Sequence, residues 1–164
     1  MYIGIDQSYR NTGIVTIDDD LNVVTHEVVQ TLKSDGDYFT RAALVAETTT
    51  CIIKTTDELT GAVKGIGIEG LAFGMRGTTL QQLAGLQFML VGALREALYY
   101  PKVYTPSTVK KCATGAGKAS KDDMYNALPD QAKKLFEKIT KSNGREDLAD
   151  AYWIAVKTKL EDAQ

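Results

Sequence analysis

The chain has 164 residues, 44% apolar and 24% charged, with one histidine, His26, and two cysteines, Cys51 and Cys112. That is enough for one compact domain over 1–164, and too little histidine and cysteine for a Cys/His zinc site, a disulfide scaffold or any triad not built on His26. Nineteen basic and twenty-one acidic side chains nearly cancel, no apolar run reaches eighteen residues and the start is not signal-like, so a soluble, cytoplasmic protein with no membrane contact is expected.

Residues 2–6 are a short apolar run ending on an acid and read as a first strand. A second strand follows over 13–18, and Asp18-Asp19-Asp20 supplies the turn after it. Residues 21–32, rich in Val and Thr, predict a third, completing an antiparallel meander. From Tyr38 the residues Phe39, Ala42, Ala43, Ala46 and Ile53 recur at three- and four-residue steps, a helix that Gly61 ends. Residues 63–69 read as a fourth strand, again closing on an acid. A long helix is predicted over 78–98 and a fifth strand over 101–104. Pro106-Ser107-Thr108 opens a short helix, Gly115-Ala116-Gly117 closes it, and two further helical segments follow. The order predicts an α/β fold with a mixed five-stranded sheet and flanking helices. Both cysteines read as small buried apolar residues, and Tyr99, Tyr100, Tyr152 and Trp153 as packing side chains. His26 reads as a sheet residue rather than a base.

The charge is segregated. Residues 1–60 hold ten acids against four bases, and 146–164 hold five acids against two. Residues 100–145 hold ten bases against four acids, a net of +6 that suits either a solvated helix face or a polyanion-binding surface.

Four acids stand at suggestive places. Asp6 and Glu69 each end an apolar strand and must lie at a sheet end, because an ionised carboxylate inside a core is very costly. Asp147 and Asp150 are three apart and share a helix face that continues into Ala151 and Ile154. Asn143 and Glu146 fit a capping box, which accounts for Glu146. Carboxylates without imidazole or thiolate partners are hard ligands suited to Mg²⁺ or Mn²⁺, and four of them can hold two ions for phosphodiester hydrolysis.

Gly4-Ile5-Asp6 followed by Arg10-Asn11-Thr12-Gly13 resembles the first motif of the RuvC family of Holliday-junction resolvases. The similarity continues through Ile68-Glu69, Pro106-Ser107-Thr108-Val109-Lys110-Lys111, Lys118-Ala119-Ser120-Lys121-Asp122-Asp123 and Asp147-Leu148-Ala149-Asp150, in order across 1–160. The wording is closest to bacteriophage versions. The resemblance implies an RNase H-like fold, a homodimer, and Mg²⁺-dependent cleavage of two opposed strands of a four-way DNA junction, with two ions and Mn²⁺ able to substitute. It implies Asp6, Glu69, Asp147 and Asp150 as metal-binding catalytic acids. Lys121 and Lys110 match the family's functional lysines, with Lys111, Lys118, Phe73 and Arg76 as further DNA-contacting candidates. Two positions depart from the bacterial branch: Gln7-Ser8 replaces Pro-Gly, and Ala72 replaces an aromatic that here comes one step later as Phe73. Cut-site preference and reliance on a branch-migration motor therefore do not carry over.

Three other readings share some of these features. A sugar kinase or chaperone ATPase needs a longer chain and a glycine turn where Gln7-Ser8-Tyr9 stands. An RNA-processing relative would keep the acids without the junction-bridging dimer. A non-cutting junction-binding protein would have no need of all four acids.

The helix over 78–98 carries Leu83, Leu86, Leu90 and Leu94 on one line and Leu80, Ala84, Phe88 and Val91 on another. That is more apolar surface than one sheet covers, so it is expected to pair with a second copy, the alternative being a neighbouring helix of the same chain. Gly85 and Gly92 would permit close approach.

Overall fold

Strands β1 (Tyr2–Asp6), β2 (Asn11–Ile17), β3 (Val23–Gln30), β4 (Gly65–Glu69) and β5 (Lys102–Tyr104) form one sheet in the order β3-β2-β1-β4-β5. The computed structural model describes every residue except Phe73, Met75 and Gln164. β1, β2 and β3 are the expected antiparallel meander, and β4 and β5 add in parallel to β1. The sheet is therefore mixed, as the sequence predicts. β2 starts two residues earlier than expected, because Asn11 and Thr12 continue the ladder opposite Gln30 and Val29.

Strand alternation sends two sets of side chains to opposite faces. Ile3, Ile5, Ile14, Ile66 and Ile68 face α1 (Tyr38–Thr60) and α2 (Gly77–Glu96), packing with Val45, Ile53, Leu86, Leu90 and Leu94. The opposite face carries Tyr2, Val15 and Ile17 and is covered by Leu148, Ala151, Tyr152 and Ala155 of α6 (Arg145–Asp162). Gly61 closes α1 as predicted, in the left-handed region, and Asp37 caps its start by accepting from Thr40 N.

Between β5 and α6 lie α3 (Pro106–Thr114), α4 (Lys121–Asn126) and α5 (Asp130–Phe136). Three helices thus follow α3, where the sequence predicts two. Pro129 is the reason: it ends one segment and begins the next. The capping box expected between Asn143 and Glu146 does not form. Asn143 sits in a 3₁₀ turn and α6 starts from Gly144 at φ 102°, where a side chain would be strained and a Cβ would press on Val28.

Cys51 is exposed rather than buried, because α1 turns it away from the sheet, and Cys112 is half-buried. Tyr99 packs and donates its hydroxyl to Asp57, but Tyr100 is 70% exposed. Trp153 donates to Met124 O at 3.0 Å, and His26 stacks edge-on against Phe136.

The contact between α6 and the sheet is unusually close. A Cβ on Gly4 would run into the Ala151 carbonyl, and one on Gly13 into the Asp147 carbonyl. The helix backbone therefore lies directly on β1 and β2.

Candidate functional site

Asp6 is the last residue of β1 and shares the face of Tyr2 and Gly4, toward α6. Glu69 is the last residue of β4, in the alternation of Gly65 and Gly67, whose missing side chains make room for Thr158 and Ile154 of α6. Both carboxylates leave the sheet at one edge on one side. The parallel ladder between their strands ends one residue earlier, at Ile5 and Ile68. The first turns of α6 deliver Asp147 and Asp150 to the same edge, because Gly13 lets Asp147 approach β2. The sequence-predicted acids are thus brought together from three separate elements.

Lys121, the first residue of α4, faces them. Its Nζ is 3.5 Å from Asp150 Oδ2 and 3.9 Å from Asp147 Oδ1. The helix start is fixed by Ser120, which exchanges hydrogen bonds with Asp123 in a capping box. Lys110, half-buried on α3, is near enough for its charge to act on Glu69 and Asp150.

The electrostatics are those of crowded, poorly hydrated carboxylates. Burial raises Asp6 well above the usual carboxylate range, reinforced by Glu69, Asp150 and Asp147. Glu69 is pushed up to about 7, first by burial and then by Asp150, against Lys121 and Lys110. Burial likewise raises Asp147 and Asp150, each opposed by Lys121. Burial alone would lower Lys121, but Asp150, Asp6 and Asp147 outweigh it and hold the ammonium above its ordinary value. No hydrogen-bond donor among the described residues serves the Asp6 carboxylate. Four crowded acids whose proton affinities are all raised, facing Lys121 and Lys110, are a common mark of a functional site.

The donor set is carboxylate oxygen only, the chemistry of a hard divalent cation. Among the described residues no three Asp, Glu, His or Cys side chains are gathered tightly enough to hold an ion as they stand. In this arrangement the Lys121 ammonium, its side chain 52% exposed, stands against Asp147 and Asp150.

Lys111 and Lys118 are exposed on and just after α3, and Arg76 is exposed at the start of α2. Phe73 lies outside the described residues. Glu146 does not join the site; it pairs with Lys141 at 2.8 Å, and Lys141 also holds Asp122. Two residues at this edge escaped sequence reasoning. Gln7 reaches Glu69 O and Gln87, and Arg41, buried with no acid partner among the described residues, donates to the carbonyls of Tyr9 and Thr31. Arg41 thereby anchors the loop that follows Asp6. Gln7 was marked only as a polar residue directly after a strand-ending acid and as a departure from the Pro-Gly of the bacterial branch, and nothing in the spacing marks Arg41.

The family model described as "Crossover junction endodeoxyribonuclease RuvC" matches residues 2–158. Similar solved structures include Thermus thermophilus RuvC in complex with Holliday junction substrate, at 20% identity over 94% of this chain and 89% of that one, with a TM-score of 0.65. The yeast mitochondrial Holliday junction resolvase Ydc2 is similar at 18% identity over 98% of this chain and 78% of that one, with a TM-score of 0.63. No curated protein matches the sequence. Among the described residues no helix is long and apolar enough to cross a membrane.

Proposed function

Because the chain belongs to the RuvC family of crossover junction endodeoxyribonucleases, we propose that it cuts paired, opposed strands of a four-way DNA junction as a metal-dependent homodimer. The convergence of Asp6, Glu69, Asp147 and Asp150 around Lys121 carries this reading. The four acids would hold Mg²⁺, with Mn²⁺ able to substitute, and two ions would fit four carboxylates better than one. Held by Asp6, Glu69, Asp147 and Asp150, such cations would supply Lewis acidity at the scissile phosphate.

The chain's own residues do the rest. Lys121, displaced from Asp150, turns its ammonium to a non-bridging phosphate oxygen and offsets the charge that grows in the transition state. Lys110 stands on the same side and orients the phosphate. Lys111, Lys118 and Arg76 hold the flanking backbone, which supplies affinity but no sequence preference.

The dimer reading rests on α2. The line Leu86, Leu90 and Leu94 is buried within the chain, against α1 and the sheet. Phe88 stays 79% exposed, Met89 is partly exposed, and Gly85 and Gly92 have open space beyond them. The chain itself covers the first apolar line; on the second, Val91 packs against the core while Phe88 stands out, and a two-fold partner would seat on Phe88.

Labelled four-way junction, linear duplex and structured RNA, each incubated with Mg²⁺ or EDTA, test the proposal. Paired cuts in the junction alone, with Mg²⁺ alone, are expected. Cleavage confined to RNA, or binding without cleavage, overturns it.

A further inference from the structure

No ladder rung joins Asp6 to Glu69. Parallel pairing of β1 and β4 stops at Ile5 and Ile68, while Asp6 remains paired to Gly13 and Glu69 to Tyr104 on their outer sides. Two strand ends held only from outside tend to part, and here each carries a carboxylate that repels the other.

The side chain of Gln7 crosses this gap. Its Nε2 donates to Glu69 O at 3.0 Å and to Gln87 Oε1 of α2 at 3.0 Å. The orientation follows from chemistry: a main-chain carbonyl only accepts, so the nitrogen must face Glu69, and the Gln87 atom meeting that nitrogen must be its oxygen. Both amide hydrogens are then used. Gln7 is 9% exposed, and its Oε1 is buried with no partner among the described residues. The hydrogen bonds that fix this side chain are therefore the two its nitrogen donates.

We infer that Gln7 is a positioning residue for the acids, replacing the missing rung, setting the separation of Asp6 from Glu69 and tying it through Gln87 to α2. The inference rests on the proposed function, which makes Glu69 a metal-binding acid. Gln7 itself touches neither metal nor substrate. It acts through Glu69, as outer-shell partners of metal ligands do, where loss of one costs about tenfold or more in metal affinity. The link to α2 also gives the helix of the proposed dimer a direct mechanical hold on the site.

The experiment measures Mn²⁺ binding by the DNA-free full chain, by electron paramagnetic resonance, beside Mg²⁺-dependent junction cleavage and thermal unfolding. The variants are Gln7→Met, Gln87→Met and Gln87→Glu. Gln7→Met is expected to weaken Mn²⁺ binding and raise the half-saturating Mg²⁺ for cleavage by about tenfold, with junction affinity in EDTA unchanged. Gln87→Met shifts both in the same direction by less, and Gln87→Glu, which keeps the acceptor, restores them. Should Gln7→Met fail to fold, the Gln87 pair decides alone. Gln7→Met with wild-type Mn²⁺ affinity, or Gln87→Glu as impaired as Gln87→Met, overturns the inference while wild-type cleavage leaves the proposed function standing. A wild-type chain that neither binds Mn²⁺ nor cuts overturns both.

Discussion

The ammonium of Lys121 stands 3.5 Å from the carboxylate of Asp150, and the two differ sharply in freedom: the lysine side chain is 52% exposed, the aspartate 10%. The acid is enclosed at the start of α6 and the base faces solvent. In the metal-free protein the lysine partly relieves four crowded acids. Lys121→Met is therefore expected to lower the unfolding temperature at about pH 8 without metal, and Mg²⁺ should recover most of the loss while cleavage stays impaired. Calorimetry with and without Mg²⁺, beside a cleavage assay, checks this; unimpaired cleavage would show that the lysine is only a counter-ion.

Asp6→Asn and Glu69→Gln should each reduce Mg²⁺-dependent cleavage by about a thousandfold or more. Junction binding in EDTA should be retained or tightened, since each change removes negative charge beside the phosphates. Both variants should also be more stable than the parent chain without metal, because a buried, poorly compensated carboxylate is gone. Gel-shift and unfolding measurements on the same samples separate these effects.

The dependence on pH has a definite sign. Glu69 is raised from 4.5 to about 7 in the folded chain, so folding favours its protonated form. The stability it contributes is fully present below about pH 4.5 and is lost as pH rises through about 7. Asp6, Asp147 and Asp150 are shifted in the same direction. The gain in unfolding temperature on adding Mg²⁺ should consequently be larger at about pH 8 than at about pH 5.5, where the metal competes with protons. Cleavage at limiting Mg²⁺ should fall as pH drops below about 7. An equal gain at both pH values would contradict the placement of the carboxylates.

Neutralising Lys110, Lys111 and Lys118 together should weaken junction binding and reduce the slope of log affinity against log salt by roughly 2–3, about 0.9 for each phosphate that a lysine no longer neutralises. An unchanged slope would mark these side chains as merely solvated.

The dimer is best probed at Phe88. Leu90 lies on a line that the sequence predicts to meet a partner, but it is fully buried within the subunit, so an acid there would unfold the chain rather than divide a dimer. Phe88→Glu should give a folded monomer in sedimentation at micromolar concentration, and cuts that are no longer paired. A wild-type monomer that still makes paired cuts would refute the dimer.

The acids were legible because ionisable groups at strand ends and on an inward helix face have few structural uses. The order of the first three strands followed from short polar links that leave a meander little choice; the places of β4 and β5 beside β1 did not. What was not legible depended on which neighbour wins a contact. Asn143 and Glu146 match a capping box in spacing, yet Lys141 takes the glutamate and Gly144 starts the helix. Both lines of α2 are equally apolar in sequence, and only the approach of α1 decides that Leu90 is inside and Phe88 outside. Gln7 is one polar residue among many until the ladder is seen to end beside it.

Gly4 and Gly13 carry no chemistry, yet they let the backbone of α6 rest on the strands that bear Asp6 and its partner residue. A methyl group at either would lift the helix and draw two of the four carboxylates away from the other two, altering none of them. A genetic screen for inactive but well-expressed mutants should therefore return changes at these glycines alongside changes at the acids. An inventory of intact acidic residues would then misclassify such alleles as functional.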